Sequence, residues 1–595
     1  MNMKKSISIL SLLLVSLSIL AVPAKPEVLR ALLEQGDTAR YNEMVGHERL
    51  VHDYTLQTAA QSAARRVANG VEAEPEINLA PRGLLILVNF ADVQFREANT
   101  QAEMSEMLNG ENYTYGKAYG SARQYFRDQS NGAYDPQFDV VGPVTLPEKM
   151  AYYGENRVDD NGNSQGDAMA GDMVLHACSL ACEIPGVDFS LYDNDNDGVL
   201  DFVYVIYAGY NEAEGGSANT IWPASWDIFS AAWSGCTSLN IYSLWYDQSP
   251  ITFGGRVLNK FAFSSELRGR SGGKRAGIGT FCHEFSHVLG LPDYYDTSYG
   301  TNYSNQLTPG AWSLMDAGSY NKDGEVPPSY SIYDKWFMGW ATPTLLNEKQ
   351  HVTIAADGLT GYYINENGRA GSPTSMATTY YVENRQQTGW DQGLPGHGLL
   401  FWQVRYKQDS WSYDNLNNKA NSPRLTLINA KSGEVKSIGG ADDPFPGTAN
   451  VDHFAPFPHY PLTHISEANG VVDFDFMYAE GESDFKYTLT VLSADSTMGT
   501  VTGSGEYPYG DVATMEAIPA PGYMFIRWSD GLTRNPRTVN MTQNKEFIAY
   551  FEAIPEPEGL TNTGAMRDNY KFVRDGRVYI VCGDRVYDVL GQIVK

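Results

Sequence analysis

Apolar and polar positions along the chain change their rhythm several times. Residues 84–90 (LLILVNF) are a nearly continuous apolar run of strand length, the pattern of a buried strand. Residues 120–129 have helical spacing closed by Asn131-Gly132, residues 167–183 predict a second amphipathic helix, and residues 199–207 another strand. Residues 257–267 alternate enough to be a further strand. Strands and helices taking turns in this way predict an α+β domain. Past Trp340 the helical signals fade. The runs at 380–386 and 398–404 bracket a turn-rich stretch holding Trp390, Pro395 and His397, so a β-rich region is expected there. Between 486 and 552 short strands punctuated by glycine predict a separate all-β module, residues 554–559 read as a linker, and 576–591 as two strands joined by a turn.

The N-terminus has a different character. Lys4 and Lys5 precede an apolar run at 7–22, and Val22-Pro23-Ala24 offers small residues at the offsets a signal peptidase needs. Residues 1–24 therefore predict a signal peptide, with export favoured over membrane anchoring because no second such run follows. The polar, partly helical stretch 25–81 predicts a propeptide, with Arg65-Arg66 and Arg82 as processing points. It holds no cysteine, which excludes latency through a thiol on a metal.

Composition narrows the class. A chain of 595 residues needs several cores. Its formal net charge of −28 excludes phosphate backbones as partners, since these require a basic surface. Five cysteines in that length are too few for a disulfide scaffold.

The candidate chemistry lies in Phe281-Cys282-His283-Glu284-Phe285-Ser286-His287-Val288-Leu289-Gly290-Leu291-Pro292-Asp293. On a helix, His283 and His287 project from one face a turn apart, so that both imidazoles can bind one zinc ion, with Glu284 beside the metal-bound water as general base. Gly290 can end the helix in the left-handed conformation and let the chain turn back. The next histidine is His351, so Asp293 is the expected third ligand by elimination, with Asp296 its nearest competitor.

A second motif, Asp193-Asn194-Asp195-Asn196-Asp197-Gly198-Val199-Leu200-Asp201, converges oxygens on a tight loop. Asp193, Asp195, Asp197, Val199 and Asp201 are candidate calcium ligands. The twelfth position of the loop is Tyr204 rather than glutamate, so a calcium loop outside an EF-hand is expected.

The run from His283 through Asp296, followed by Gly310-Ala311-Trp312-Ser313-Leu314-Met315-Asp316, resembles the metzincin metallopeptidases and, within them, the immune inhibitor A family. Residues 126–142 and the β-rich block resemble the same family. The resemblance implies a secreted zinc endopeptidase acting on extracellular proteins. It makes Met315 an apolar floor beneath the metal, and the strand at 257–267 an edge that pairs with extended substrate. It also raises a tyrosine that assists catalysis, for which Tyr294, Tyr295 and Tyr320 all qualify. Gln403-Val404-Arg405 and Ala224 depart from the usual family residues, so no metal role carries over to them. The module at 486–552 resembles repeat modules of bacterial surface proteins, and the tail resembles C-terminal sorting tails of type IX secretion.

The expected architecture is an α+β metzincin-like catalytic domain at 82–342, followed by β-rich, β-sandwich-like accessory domains. These are a β-rich domain at 343–480, the module at 486–552, a linker at 553–565 and a sorting-type tail at 566–595. The expected cofactors are catalytic zinc and structural calcium. Protein or peptide substrates are the expected partners, with secretion machinery engaging the tail. A competing function is a surface adhesin or carbohydrate-binding protein built on the β-rich half.

Overall fold

The run at 84–90 becomes the middle of a mostly parallel sheet, and its lack of alternation has a simple cause: both faces are covered. Leu84, Ile86 and Val88 point into one apolar core, while Leu85 and Leu87 point into another. The computed structural model describes residues 20–21, 23, 25–37, 40, 80–158, 164–167, 169–233, 236, 250–297, 307–412, 414–419, 422–434, 439–478, 486–508, 511–541, 543–554, 569–574, 577–582, 585–589 and 591–594. The leader at 1–19, Arg65-Arg66 and the linker at 555–565 lie outside these residues. So does most of the propeptide.

The elements that frame the site are β1 (Leu20–Ala21), α1 (Pro26–Glu34), β2 (Arg82–Asn89), α2 (Ala122–Gln129), β3 (Gln137–Thr145), α3 (Ala170–Ala181), β4 (Val203–Tyr210), β5 (Ala224–Asp227), β6 (Lys260–Arg268) and α4 (Gly279–Val288). The main sheet runs β1-β5-β6-β4-β2-β3, with Lys274–Arg275 pairing back onto β6. Neighbours from β6 to β3 are parallel, and β5 is antiparallel to β6. Helix α3 packs Met173, Val174 and Ala177 on one face of the sheet, while α2 and α4 cover the other with Tyr125, Phe126, Phe281 and Phe285.

Three expectations need correcting. The strand at 257–267 is not an edge: β6 lies between β4 and β5 and is buried along nearly its whole length. The outermost strand of the domain's own sheet is β5, only four residues long and too short to announce itself by pattern. The helix expected at 167–183 starts at Ala170. Asp167 instead ends a short strand and accepts the Trp222 N–H at 2.6 Å. The strand expected at 199–207 is broken by Asp201 and Phe202, so that Val199–Leu200 pairs in parallel with Val257–Leu258 while β4 joins the main sheet.

The β-rich region builds two layers. One sheet contains Thr379–Arg385 and Gly398–Val404, and in the other Val471–Phe476 lies between Gln350–Ala355 and Leu462–Ala468. Along Gly398–Val404, Leu399 and Phe401 face the second sheet while Leu400 and Trp402 face the protease core. The 342/343 boundary expected from sequence thus crosses a continuous apolar core. Residues 1–483 form one compact unit and 484–595 another. The second unit contains strands Lys486–Ser493, Gly499–Thr502, Val512–Pro519, Tyr523–Trp528 and Lys545–Ala553 around Trp528. Its tail has three strands instead of two, because Asn569–Arg574 pairs with Arg577–Cys582.

Candidate metal centre and active site

Helix α4 is fixed by its aromatic face. Phe281 and Phe285, one turn apart, meet Tyr204 at 4.7 Å, Phe138 at 4.9 Å and Phe202 at 4.7 Å between ring centroids. The opposite face therefore carries His283, Glu284 and His287, all buried. The start of the helix lies against the segment that follows Met315. A Cβ on Gly279 would sit 2.0 Å from the Ser319 carbonyl oxygen, which only glycine allows. At the other end Gly290 has φ +91°, a conformation that L side chains rarely adopt. The chain reverses there, with Leu291 N–H donating to the Ser286 carbonyl at 3.2 Å.

That reversal brings Asp293 to the histidines. Its Oδ1 lies 3.0 Å from His283 Nε2 and 3.6 Å from His287 Nε2. Donors about 2.05 Å from a tetrahedral metal are about 3.3 Å apart, so these spacings bracket what zinc requires. His283 Nδ1 lies 2.7 Å from the Leu314 carbonyl and His287 Nδ1 2.7 Å from the Leu291 carbonyl. A carbonyl oxygen can only accept, so each Nδ1 carries the proton and each Nε2 presents its lone pair. Lone pairs converging within 4.8 Å suit a cation. Burial pushes the Asp293 carboxyl well above the usual carboxylate range, and the nearby Asp414 and Glu284 charges add to this. A divalent ion among these groups would relieve both effects. The donor set and its spacing fit zinc.

Among the described residues this triad and Asp193, Asp195 and Asp197 are the groups that bring three potential ligands together. Asp296 is buried but is not one of the converging set. In the aspartate loop, Asp195 Oδ1 accepts the Asp197 N–H at 3.2 Å, and Asp197 Oδ1 the Val199 N–H at 2.8 Å. Asp193 Oδ2 accepts the Gly198 N–H at 3.2 Å and receives Arg256 Nε at 2.5 Å. Asp201 stands apart, accepting from the backbone and side-chain nitrogens of Asn194 at 2.5 and 2.9 Å. Burial raises its carboxyl above the usual range, and Asp195 and Asp197 reinforce that.

The methionine segment acts through its backbone. The Leu314 carbonyl orients His283, and the carbonyl of the fully buried Met315 accepts the Tyr294 N–H at 2.8 Å. Of the three tyrosines, Tyr294 gives its hydroxyl to Asp334 Oδ1 at 2.6 Å, and Tyr320 gives its own to the Pro23 carbonyl at 2.6 Å.

Sequence reasoning missed the second support of the ligand loop. Asp414 Oδ1 accepts the Asp293 N–H at 2.6 Å, and Asn417 Nδ2 donates to the Tyr294 carbonyl at 2.6 Å. Thr297 N–H donates to Asn418 Oδ1 at 3.0 Å. All three come from the β-rich region, 121 to 123 residues downstream. Within their own stretch they read only as a polar turn.

A sheet-backed helix bearing H-E-x-x-H, with a carboxylate returned to it across a glycine turn, defines a metallopeptidase catalytic domain. Residues 83–341 match the immune inhibitor A peptidase M6 catalytic domain, and residues 487–555 match the divergent InlB B-repeat domain. The catalytic domain at 83–341 is thus of the immune inhibitor A peptidase type. It is similar to Immune inhibitor A of Bacillus thuringiensis subsp. alesti, 27% identical over 289 residues that cover 43% of this chain and 39% of the relative. It is also similar to the pre-pro-metalloprotease PrtV of Vibrio cholerae serotype O1, 27% identical over 288 residues, 43% of this chain and 29% of that protein. A putative secreted metallopeptidase of Arthroderma benhamiae is 33% identical over 98 residues, 14% of each chain. The chain thus spans well under half the length of the relatives it matches.

Proposed function

We propose that the protein is a secreted, zinc-dependent endopeptidase that cleaves extracellular proteins. The observation that carries this reading is the approach of His283 Nε2, His287 Nε2 and Asp293 Oδ1 at tetrahedral spacing, with both imidazoles locked in the tautomer that presents Nε2. His283, His287 and Asp293 would hold the metal. Zinc, when bound there, supplies a Lewis acid that lowers the pKa of water and polarises a carbonyl. Glu284, one residue on from His283 and close enough to Asp293 for their charges to interact, takes the proton of the attacking water and returns it to the leaving amine. Its burial keeps bulk water away from that transfer.

The sheet order, with one antiparallel strand outermost, supports a metzincin-like domain, in which Met315 lies in the apolar layer under the histidines. Substrate in an extended conformation then adds to β5 by backbone hydrogen bonding. The aspartate loop is assigned calcium, which would offset the mutual repulsion of Asp193, Asp195 and Asp197. Among the described residues no helix is long and apolar enough to cross a membrane. Export follows from the predicted leader, and the C-terminal strands are assigned to the secretion machinery. The test is cleavage of casein by the purified, metal-replete protein, abolished by a chelator and restored by zinc. Activity indifferent to chelation would reject the reading.

A further inference from the structure

Ahead of helix α5 (Ile332–Phe337), residues 327–331 cross the interior without regular structure and are mostly buried. Buried peptide groups outside a helix or sheet need partners of another kind. Here side chains supply them one after another. Asp391 Oδ1 accepts the Ser329 N–H at 2.8 Å, and Gln129 Oε1 the Tyr330 N–H at 3.0 Å. Asp334 Oδ2 accepts the Ser331 N–H and Glu383 Oε2 the Ile332 N–H, both at 2.9 Å. The Pro328 carbonyl takes the Tyr125 hydroxyl at 2.7 Å, and the Ser329 carbonyl takes Arg385 Nη2 at 3.0 Å. Arg385 also meets both oxygens of Asp391 at 2.6 and 2.7 Å and Glu383 Oε1 at 3.2 Å. The segment is therefore fixed from α2 and from the β-rich region together.

So secured, it holds two side chains against the supports of the metal centre. The Tyr330 hydroxyl meets that of Ser286, which lies on α4 between His283 and His287. Ser286 gives its single hydroxyl hydrogen to the Cys282 carbonyl at 2.6 Å, so Tyr330 is the donor between them. Four residues on, Asp334 Oδ1 accepts the hydroxyl of Tyr294, the neighbour of Asp293, at 2.6 Å. All four of these residues are buried. One short stretch thus grips both the helix that carries the histidines and the loop that carries the carboxylate. The separation of those two elements sets the 3.0 and 3.6 Å between Asp293 Oδ1 and the imidazoles. A working site tolerates errors of only about 0.5 Å in such distances.

We infer that residues 328–334 are a spacer that sets the distance between the histidine helix and the Asp293 loop, with Tyr330 and Asp334 as its positioning residues. The inference rests on the peptidase reading above, since it takes zinc as the ion. It also gives the β-rich region a part in metal binding. Glu383, Arg385 and Asp391 hold the spacer, and the spacer holds the ligands in register.

The test uses the protein as secreted, stripped of metal and titrated with zinc, then with cobalt(II), whose visible spectrum reports ligand geometry. Tyr330→Phe and Tyr294→Phe each remove one hydroxyl and leave every zinc ligand in place. Tyr330→Phe also keeps its ring against Tyr125 and Trp340, 5.4 and 5.7 Å away between centroids. Each variant should weaken zinc about tenfold, the lower end of what an outer support of a ligand is worth, and alter the cobalt spectrum. A spacer fails as a unit, so the double variant should bind little worse than either single one. Independent hydrogen bonds would instead multiply to about a hundredfold. Arg385→Lys keeps the buried charge but loses the fork, and should shift affinity and spectrum in the same direction. Melting of the metal-free proteins is the control, because a purely structural hydrogen bond would lower it and leave zinc affinity alone. Unchanged affinity and spectra in both phenylalanine variants, or losses that multiply in full, would overturn the inference. Casein cleavage is followed on the same preparations. Wild type that binds zinc yet leaves casein intact would reject the peptidase reading while the titrations still decide the spacer, and wild type that binds no zinc would overturn both.

Discussion

Two clusters of side chains that could hold a metal ion stand in one domain, and they are held in different ways. The His283–His287–Asp293 group is buried, and beside the local Leu291 carbonyl on His287 the groups that fix it come from far along the chain: the Leu314 carbonyl, the Met315 carbonyl through Tyr294, and Asp414. The Asp193–Asp195–Asp197 group has Asp195 and Asp197 exposed, and beside the Arg256 guanidinium on Asp193 it accepts amides only two to five residues away. The first cluster exists only in the folded domain, whereas most of the second could form in a short peptide. A buried, remotely braced cluster has its geometry set before the ion arrives, which favours catalysis. A local loop can adapt around an ion and contributes mainly to stability.

The strongest way to break this contrast is to remove chemistry from the buried cluster without removing its ligands. Glu284→Ala should keep zinc and fold while kcat/KM falls by roughly 10²–10⁴-fold, the usual worth of a positioned general base. Metal analysis and peptidase assays on the same preparation check it. Activity near that of wild type would leave Glu284 without the assigned role.

Next comes the ligand itself. Asp293→Ala should lose zinc and activity together, because two imidazoles alone hold the ion weakly and leave its coordination open. Asp296→Ala, outside the converging set, should retain most of its zinc. If the two variants gave the reverse order in metal content, Asp296 would be the ligand.

Much of this was legible locally. The buried runs gave β2 and β4, the i, i+4 spacing gave the histidine face, and Gly290 marked the turn that returns Asp293. What escaped notice depended on distance. Strand β5 has four residues and no pattern of its own, so the sequence alone points to the longer run at 257–267 as the edge. Trp402 and Leu400 looked like the core of a separate β domain, yet they face the protease core while Leu399 and Phe401 face their own sheet. Asp414, with φ +48°, is a turn residue by every local sign, and only the fold brings it to Asp293.

Asp414 therefore sharpens the comparison at an intermediate scale. Asp414→Asn keeps an acceptor oxygen for the Asp293 N–H but removes a charge, whereas Asp414→Ala removes both. Loss of an outer hydrogen bond to a ligand typically costs about 10–100-fold in metal affinity. Zinc titration should place Asp414→Ala in that range and Asp414→Asn nearer to wild type. Equal, unchanged affinities would mean that the brace from the β-rich region is dispensable.

The smallest effect is expected at the aspartate loop, and Arg256 is the reason. Its guanidinium already brings a positive charge to Asp193, whose side chain is 1% exposed, so a calcium ion there adds to a site that is partly neutralised. Saturating calcium at 100 times its dissociation constant could contribute about 2.7 kcal/mol at most if it bound the folded state alone. In a domain of this size that is a rise of several degrees in melting temperature, at about 2–4 °C per kcal/mol. Asp195→Ala combined with Asp197→Ala should abolish the rise by removing the two exposed ligands. Arg256→Gln should enlarge it, because the same three carboxylates would then have only the ion to offset their repulsion. Melting curves with and without calcium for these proteins separate the cases. If wild type melts at one temperature in both conditions and Arg256→Gln does the same, the loop is a turn stabilised by its own amides and Arg256, and the contrast reduces to a metal site beside a polar loop.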